Sequence, residues 1–172
     1  MSSELPAPRR IITAHRAEDG VAVVKDDGVI PLLDVAPGLR VAPLWVTNSV
    51  PAKDNNLDDD GGLRRATRDS GLISPNGTHC TVTDLAPGAW TAWHRTNSLD
   101  HNVIISGTPI LKMEDGERIT KTGDVVIQRG TMHAWYNPGP DWARWACVLI
   151  DAEPAVVNGH ALEAAVKEAP SS

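Results

Sequence analysis

Moving protons at neutral pH requires groups that titrate near it, and in this chain His94, Asp100 and His133 form the set with most chemistry to offer. A histidine near its usual pKa of about 6.5 exchanges protons at pH 7, and a carboxylate beside it fixes its tautomer or raises its basicity. Dehydration, decarboxylation, enolisation and ring closure need such proton movement and little else. The trio also has the composition of a two-histidine, one-carboxylate facial set with open positions, which suits non-haem iron. Zinc with three protein ligands and a water would use the same groups.

These residues make a site only if the fold gathers them. Alternation of apolar and polar residues dominates the chain. Strand-like runs lie at Ile11–Ala14 and Val21–Lys25, joined across Glu18-Asp19-Gly20 as a hairpin, and at Val41–Thr47, where Pro43 signals an edge or a bulge. Further runs span 78–84, 89–94, 102–106, 110–113, 118–121, 124–128 and 144–151, separated by Gly, Pro and Asp clusters. This rhythm predicts an all-β barrel or sandwich. Side chains two apart on a strand share a face, so His94 and Thr96 point into one interior, and a turn returns Asp100 toward them. A separate strand brings in His133.

The predicted layout is one domain: residues 1–50 as N-terminal strands packing on the barrel, 51–76 as a polar loop over its mouth, 77–152 as the barrel core, and 153–172 as a helix and tail. The helix is expected over Gly159–Ala169, where Leu162, Ala165 and Val166 are spaced for one face. In the loop, Asn56, Asp58, Asp60 and Gly61 mimic the start of a calcium loop, but Thr67 stands where the bidentate Glu belongs, so a solvated acidic loop is expected.

Two segments carry a family resemblance. Gly88-AWTAW-His94-Arg-Thr96-Asn-Ser-Leu-Asp100-HNVIIS-Gly107 and Gly123-DVVIQR-Gly130-TM-His133-AWY-Asn137 resemble the paired motifs of the cupin superfamily. Both glycine brackets of the first motif fit, as does the G-x2-H-x3-N ending of the second. Thr96 replaces the second His of the family's HxH pair, and Asp100 replaces its Glu. Over most of its length the chain is similar to small cupins found in or near fungal and bacterial biosynthetic gene sets, through Arg9-Arg-Ile-Ile-Thr, Leu44-Trp-Val-Thr, His94-Arg-Thr-Asn-Ser-Leu-Asp, Gln128-Arg-Gly-Thr-Met-His-Ala-Trp and Leu149-Ile-Asp-Ala; His101 stands where these commonly have Tyr.

The resemblance implies an all-β jelly-roll barrel with extra N-terminal strands and a short C-terminal helix, and a site in it where His94, Asp100 and His133 are catalytic residues, metal ligands, or both. The metal would be Fe, Zn, Mn or Ni; the missing His equally suits a cupin that holds none. The implied function is a small-molecule enzyme of secondary, polyketide-like metabolism, with a lyase or isomerase step (dehydration, decarboxylation or cyclisation) favoured. A non-haem iron oxygenase or oxidoreductase and a non-catalytic ligand-binding cupin are the alternatives.

Trp90 shares strand parity with His94, and Trp135 with His133, which makes both candidate pocket walls beside Thr96 and His79. Trp45, Trp93, Trp142 and Trp145 are expected in the core or an interface. His101 is out of phase with Asp100 and should face outward, and His15 and His160 have no evident partner.

The chain's 172 residues are enough for one core. A net charge of -6 argues against a nucleic-acid partner. No apolar run approaches the roughly 20 residues that cross a bilayer. The start Met1-Ser-Ser-Glu-Leu-Pro lacks a signal-peptide pattern, so a cytoplasmic location is expected. Cys80 and Cys147 read as reduced thiols. Partners are expected to be a small-molecule substrate and a second copy in a homodimer.

Overall fold

Short alternating runs cut by turn residues favour strands and leave little room for helices. The computed structural model describes residues 4–168, and they form an all-β jelly-roll barrel with two single-turn 3-10 segments, Asp54–Asn56 and Gly61–Leu63.

Strands β1 (Arg9–His15) and β2 (Ala22–Val29) pair as the expected hairpin and form a sheet of their own. Polar contacts tie the hairpin to the rest: the Arg10 guanidinium donates to both Asp60 carboxylate oxygens and to the Leu44 carbonyl, and Lys25 donates to Asp58.

The main sheet has six strands in the order β10-β7-β12-β5-β4-β3. These are β3 (Leu33–Ala36), β4 (Leu39–Thr47), β5 (Thr78–Leu85), β7 (Ser98–Ser106), β10 (Val125–Arg129) and β12 (Ala143–Asp151). The second sheet orders five strands as β15-β6-β11-β8-β9, namely β6 (Trp93–Arg95), β8 (Ile110–Met113), β9 (Gly116–Ile119), β11 (His133–Tyr136) and β15 (Ala165–Lys167). The register of β4 on β5 shifts between Pro43 and Trp45, so the proline sits at a bulge.

The core lies between the sheets. Leu85, Ile104, Trp145, Cys147 and Leu149 of the first sheet meet Leu111 and Trp135 of the second, and Ile73 of the long loop joins them. Gly107 closes the turn after β7 at φ +79, where a Cβ would come within 2.9 Å of the Ala143 backbone. Asn137 fixes the approach to β12 by donating to the Leu85 and Asp141 carbonyls and accepting from Gly139 N–H.

The acidic loop is held by arginines. Arg64 pairs with Asp54 and Asp59, and Arg10 with Asp60, so these carboxylates are committed to guanidinium partners.

The C-terminal expectation is corrected. Val156–Val157 (β13) and His160–Ala161 (β14) form a small hairpin, and 165–167 form β15, with no helix among these residues; Ala169 lies outside the described range. Asn158 and Gly159 both take positive φ, 50° and 79°, as a two-residue hairpin turn requires. Beyond it, the exposed edge of β6 offers unpaired backbone groups, and β15 satisfies them where an isolated short helix would be marginal.

Candidate functional site

His94 and His133 are direct register partners across β6 and β11, with ring centroids 4.2 Å apart and planes tilted by 52°. A bulge sets this pairing. Trp90 bridges to Tyr136 and His94 pairs with His133, so four steps on one strand oppose three on the other. The extra residue falls at Thr91–Ala92, where the Thr91 hydroxyl, in place of a ladder carbonyl, accepts from Trp135 N–H at 2.8 Å.

The bulge also reverses parity, which corrects the expectation for Trp90. Its ring stacks on Tyr136 at 4.5 Å on the outer face, with the Lys112 ammonium 5.2 Å from its centroid. Trp135 does share the inner face with His133, but it is 2% exposed and stacks on Trp145 at 5.2 Å. It belongs to the core beneath the imidazoles and does not wall a pocket.

Both imidazoles are held neutral. Each Nδ1 lies against a backbone carbonyl, Ala92 for His94 at 2.9 Å and Thr131 for His133 at 3.0 Å. A carbonyl only accepts, so Nδ1 carries the proton and Nε2 keeps its lone pair. Burial pushes the His94 pKa down, and burial together with the neighbouring His94 pushes His133 down to about 3.

Asp100 stands on the other wall. It sits in β7, the strand that follows the β6–β7 turn, and its register partners are Gln128 of β10 and Leu149 of β12. Burial raises its pKa to about 6, with the Ser98 hydroxyl and the His101 charge opposing. Two neighbours of Asp100 carry no signal in the sequence. Asn102 follows Asp100 on the same inner face, and Gln128 is its cross-strand partner; the two are 3% and 4% exposed. Both are ordinary polar residues by type, and only the register reveals that they face inward. Gln128 links the walls, since its amide donates to the Thr131 hydroxyl, next to the carbonyl that orients His133.

Thr96 is buried at the β6–β7 turn with its hydroxyl bonded to Ser98 at 2.8 Å. His79 is inward on β5, its Nδ1 donating to Leu72 of the long loop, and Leu149 stands between it and Asp100 in register. His101 faces away, beside Ile127 and Val148. Burial pushes the Cys147 thiol far up, which leaves it a poor nucleophile.

The ligand set expected for a metal is divided. Among the described residues, no three His, Cys, Asp or Glu side chains gather as a metal-holding group. The imidazole pair has the arrangement of metal-binding histidines, with Nδ1 on a carbonyl and Nε2 bare, but Asp100 does not join it.

An open cavity of about 700 Å³ lies outside the barrel between the β1–β2 hairpin and the acidic loop, with Arg10, Trp45, Asp54 and Asp60 on its walls. At the barrel rim a recess is lined by Trp93, Met113, Glu114, Met132, Lys167 and Glu168. Met113 reaches from that recess to within 3.9 Å of the Gln128 amide.

The two sheets close as a jelly roll with several polar side chains turned inward. Comparison with known proteins identifies the class. It is 42% identical over 167 residues to oryzines biosynthesis cluster protein J of Aspergillus oryzae, covering 92% of this chain and 91% of the relative. It is 33% identical over 167 residues to a cupin-domain-containing oxidoreductase of Hypocrea virens, covering 91% and 84%. The chain belongs to the cupin family. No protein-family profile matches it. Among solved structures, the polyketide cyclase RemF of Streptomyces resistomycificus has a similar fold, with a TM-score of 0.52 at 15% identity over 83% of this chain and 82% of that one. No helix among the described residues is long and apolar enough to cross a membrane.

Proposed function

We propose that this chain is a biosynthetic enzyme that moves protons on a small oxygenated molecule held in the barrel, in a lyase or isomerase step such as dehydration, decarboxylation or cyclisation. The observation that carries this reading is the in-register pair of neutral imidazoles, His94 and His133, each with Nδ1 fixed on a carbonyl and Nε2 free to accept a proton. Burial keeps both rings uncharged, so each Nε2 is available to accept a proton, and the lowered pKa makes each a weak base that gives the proton up readily. Asp100, on the facing wall, gains a proton as pH falls through about 6 and supplies an acid there. The relative named for an oryzines biosynthesis cluster supports a place in small-molecule biosynthesis.

A second reading draws on the relative named as an oxidoreductase. In it the two Nε2 atoms hold a divalent metal, which would supply Lewis-acid or oxygen chemistry, and Asp100 would need to move to complete the set.

The test uses pentane-2,4-dione as a carbon acid and follows α-proton exchange in D₂O by NMR. The proton-transfer reading expects exchange above buffer that survives chelator and falls on the order of 10²-fold or more in His133→Ala. No catalysed exchange would overturn it. Elemental analysis finding one iron per chain, with exchange lost on chelation, would favour the second reading.

A further inference from the structure

The wall that faces the imidazoles holds three buried polar atoms with no partner: Asp100 Oδ1, Asn102 Nδ2 and Gln128 Oε1. Their residues are 4%, 3% and 4% exposed. Leaving such an atom unpaired costs about 1–3 kcal/mol, so native proteins keep few of them. Here the three fall together. Asp100 and Asn102 share the inner face of β7 two residues apart, a spacing of about 7 Å, and Gln128 is the direct partner of Asp100.

We infer that this row recognises an uncharged, hydroxyl-bearing substrate, one hydroxyl lying between Asp100 and Asn102 and a second donor meeting Gln128. Resting on the proton-transfer reading above, this names the substrate class of that site. The spacing leaves room for one oxygen between the two side chains. That oxygen must accept from the Asn102 amide and donate to the Asp100 carboxylate, and only a hydroxyl does both. A carboxylate satisfies Asn102 but sets lone pairs against Asp100 and Gln128. An ammonium serves the two oxygens and leaves Asn102 unpaired. The two bare Nε2 atoms of His94 and His133 add further acceptors, so the interior offers many acceptors and a single free donor. A polyol, phenol or enol matches that imbalance.

The probes are resorcinol, its dimethyl ether and benzoate, with binding measured by titration calorimetry on the full chain. Resorcinol should bind at least about tenfold more tightly than the ether, the cost of one buried group left unpaired, and benzoate should bind more weakly than either. Asn102→Leu keeps the side chain's size and removes its donor. It should weaken resorcinol and the ether alike, since either oxygen accepts from that amide, whereas Gln128→Met removes an acceptor that only a hydroxyl meets and should reduce the preference for resorcinol.

Equal binding of resorcinol and ether overturns the inference. So does no binding of resorcinol at tens of millimolar, in which case ordered water alone fills the row, and so does an unchanged preference in Gln128→Met. His133→Ala separates the two readings, because it should lower proton exchange on the order of 10²-fold or more while resorcinol keeps a preference over the ether through Asp100 and Gln128. If exchange persists and the preference holds, the proton-transfer role of His133 fails and the substrate class stands.

Discussion

His94 and His133 lie opposite each other across two strands with centroids 4.2 Å apart, each ring anchored through Nδ1 to the carbonyl two residues before it. Two imidazoles that close cannot both be charged in a dry interior. Nitrogen-15 NMR should find both as the Nδ1–H tautomer at pH 7, with His133 still neutral at pH 5. A cationic His133 at that pH would contradict the site described. The folded pKa of about 3 lies below the ordinary 6.5, so the unfolded chain takes up the proton first. His133 therefore costs stability as pH falls from 6.5 toward 3.

Asp100 runs the other way. Its folded pKa of about 6 exceeds the ordinary 3.8, so the folded state binds the proton first and gains stability as pH falls from 6 toward 3.8. Above pH 6 the buried carboxylate is a net cost. Asp100→Asn should stabilise the protein at pH 8 by on the order of 3 kcal/mol, with the advantage gone below about pH 4. Urea unfolding at several pH values measures this, and a pH-independent difference would refute it.

The two tryptophans once equivalent by parity should behave differently. Trp135→Ala removes a ring packed on Trp145 in the core and should cost about 3–5 kcal/mol. Trp90→Ala removes a ring on the outer face and should cost about 1 kcal/mol, with exchange activity retained. Thermal unfolding and the exchange assay together separate them.

Thr91 is a test of the bulge itself. Thr91→Val keeps the shape but leaves the Trp135 N–H without its acceptor, at a cost of about 1–3 kcal/mol. Because that hydroxyl sets which residues of β6 and β11 face each other, exchange activity should fall more than in Trp90→Ala. Unchanged stability and activity would show that the hydroxyl does not hold the register.

Much of this was legible in the amino-acid sequence, and the gaps have physical causes. Glycine brackets and period-two alternation point to the barrel, and motif position singles out His94, Asp100 and His133. Parity fails at Trp90 because one inserted residue inverts it, and nothing in Thr91-Ala92 announces a bulge. Asn102 and Gln128 are unremarkable until a cross-strand register makes them neighbours of Asp100. The C-terminal hairpin is a different kind of miss. Asn158-Gly159 between Val156-Val157 and His160-Ala161 carries the turn signal in full, and the helical spacing of Leu162, Ala165 and Val166 competes with it.

The pairing of Ala165 with Arg95 and of Val166 with His94 bears on how the chain is made. The strand that carries His94 has no neighbour on that side until residues about 70 positions later leave the ribosome, which at roughly 5–20 residues per second is several seconds of synthesis. Through that interval the nascent barrel presents an open edge next to its own reactive imidazole. A chaperone that shields strand edges would find a long-lived target there.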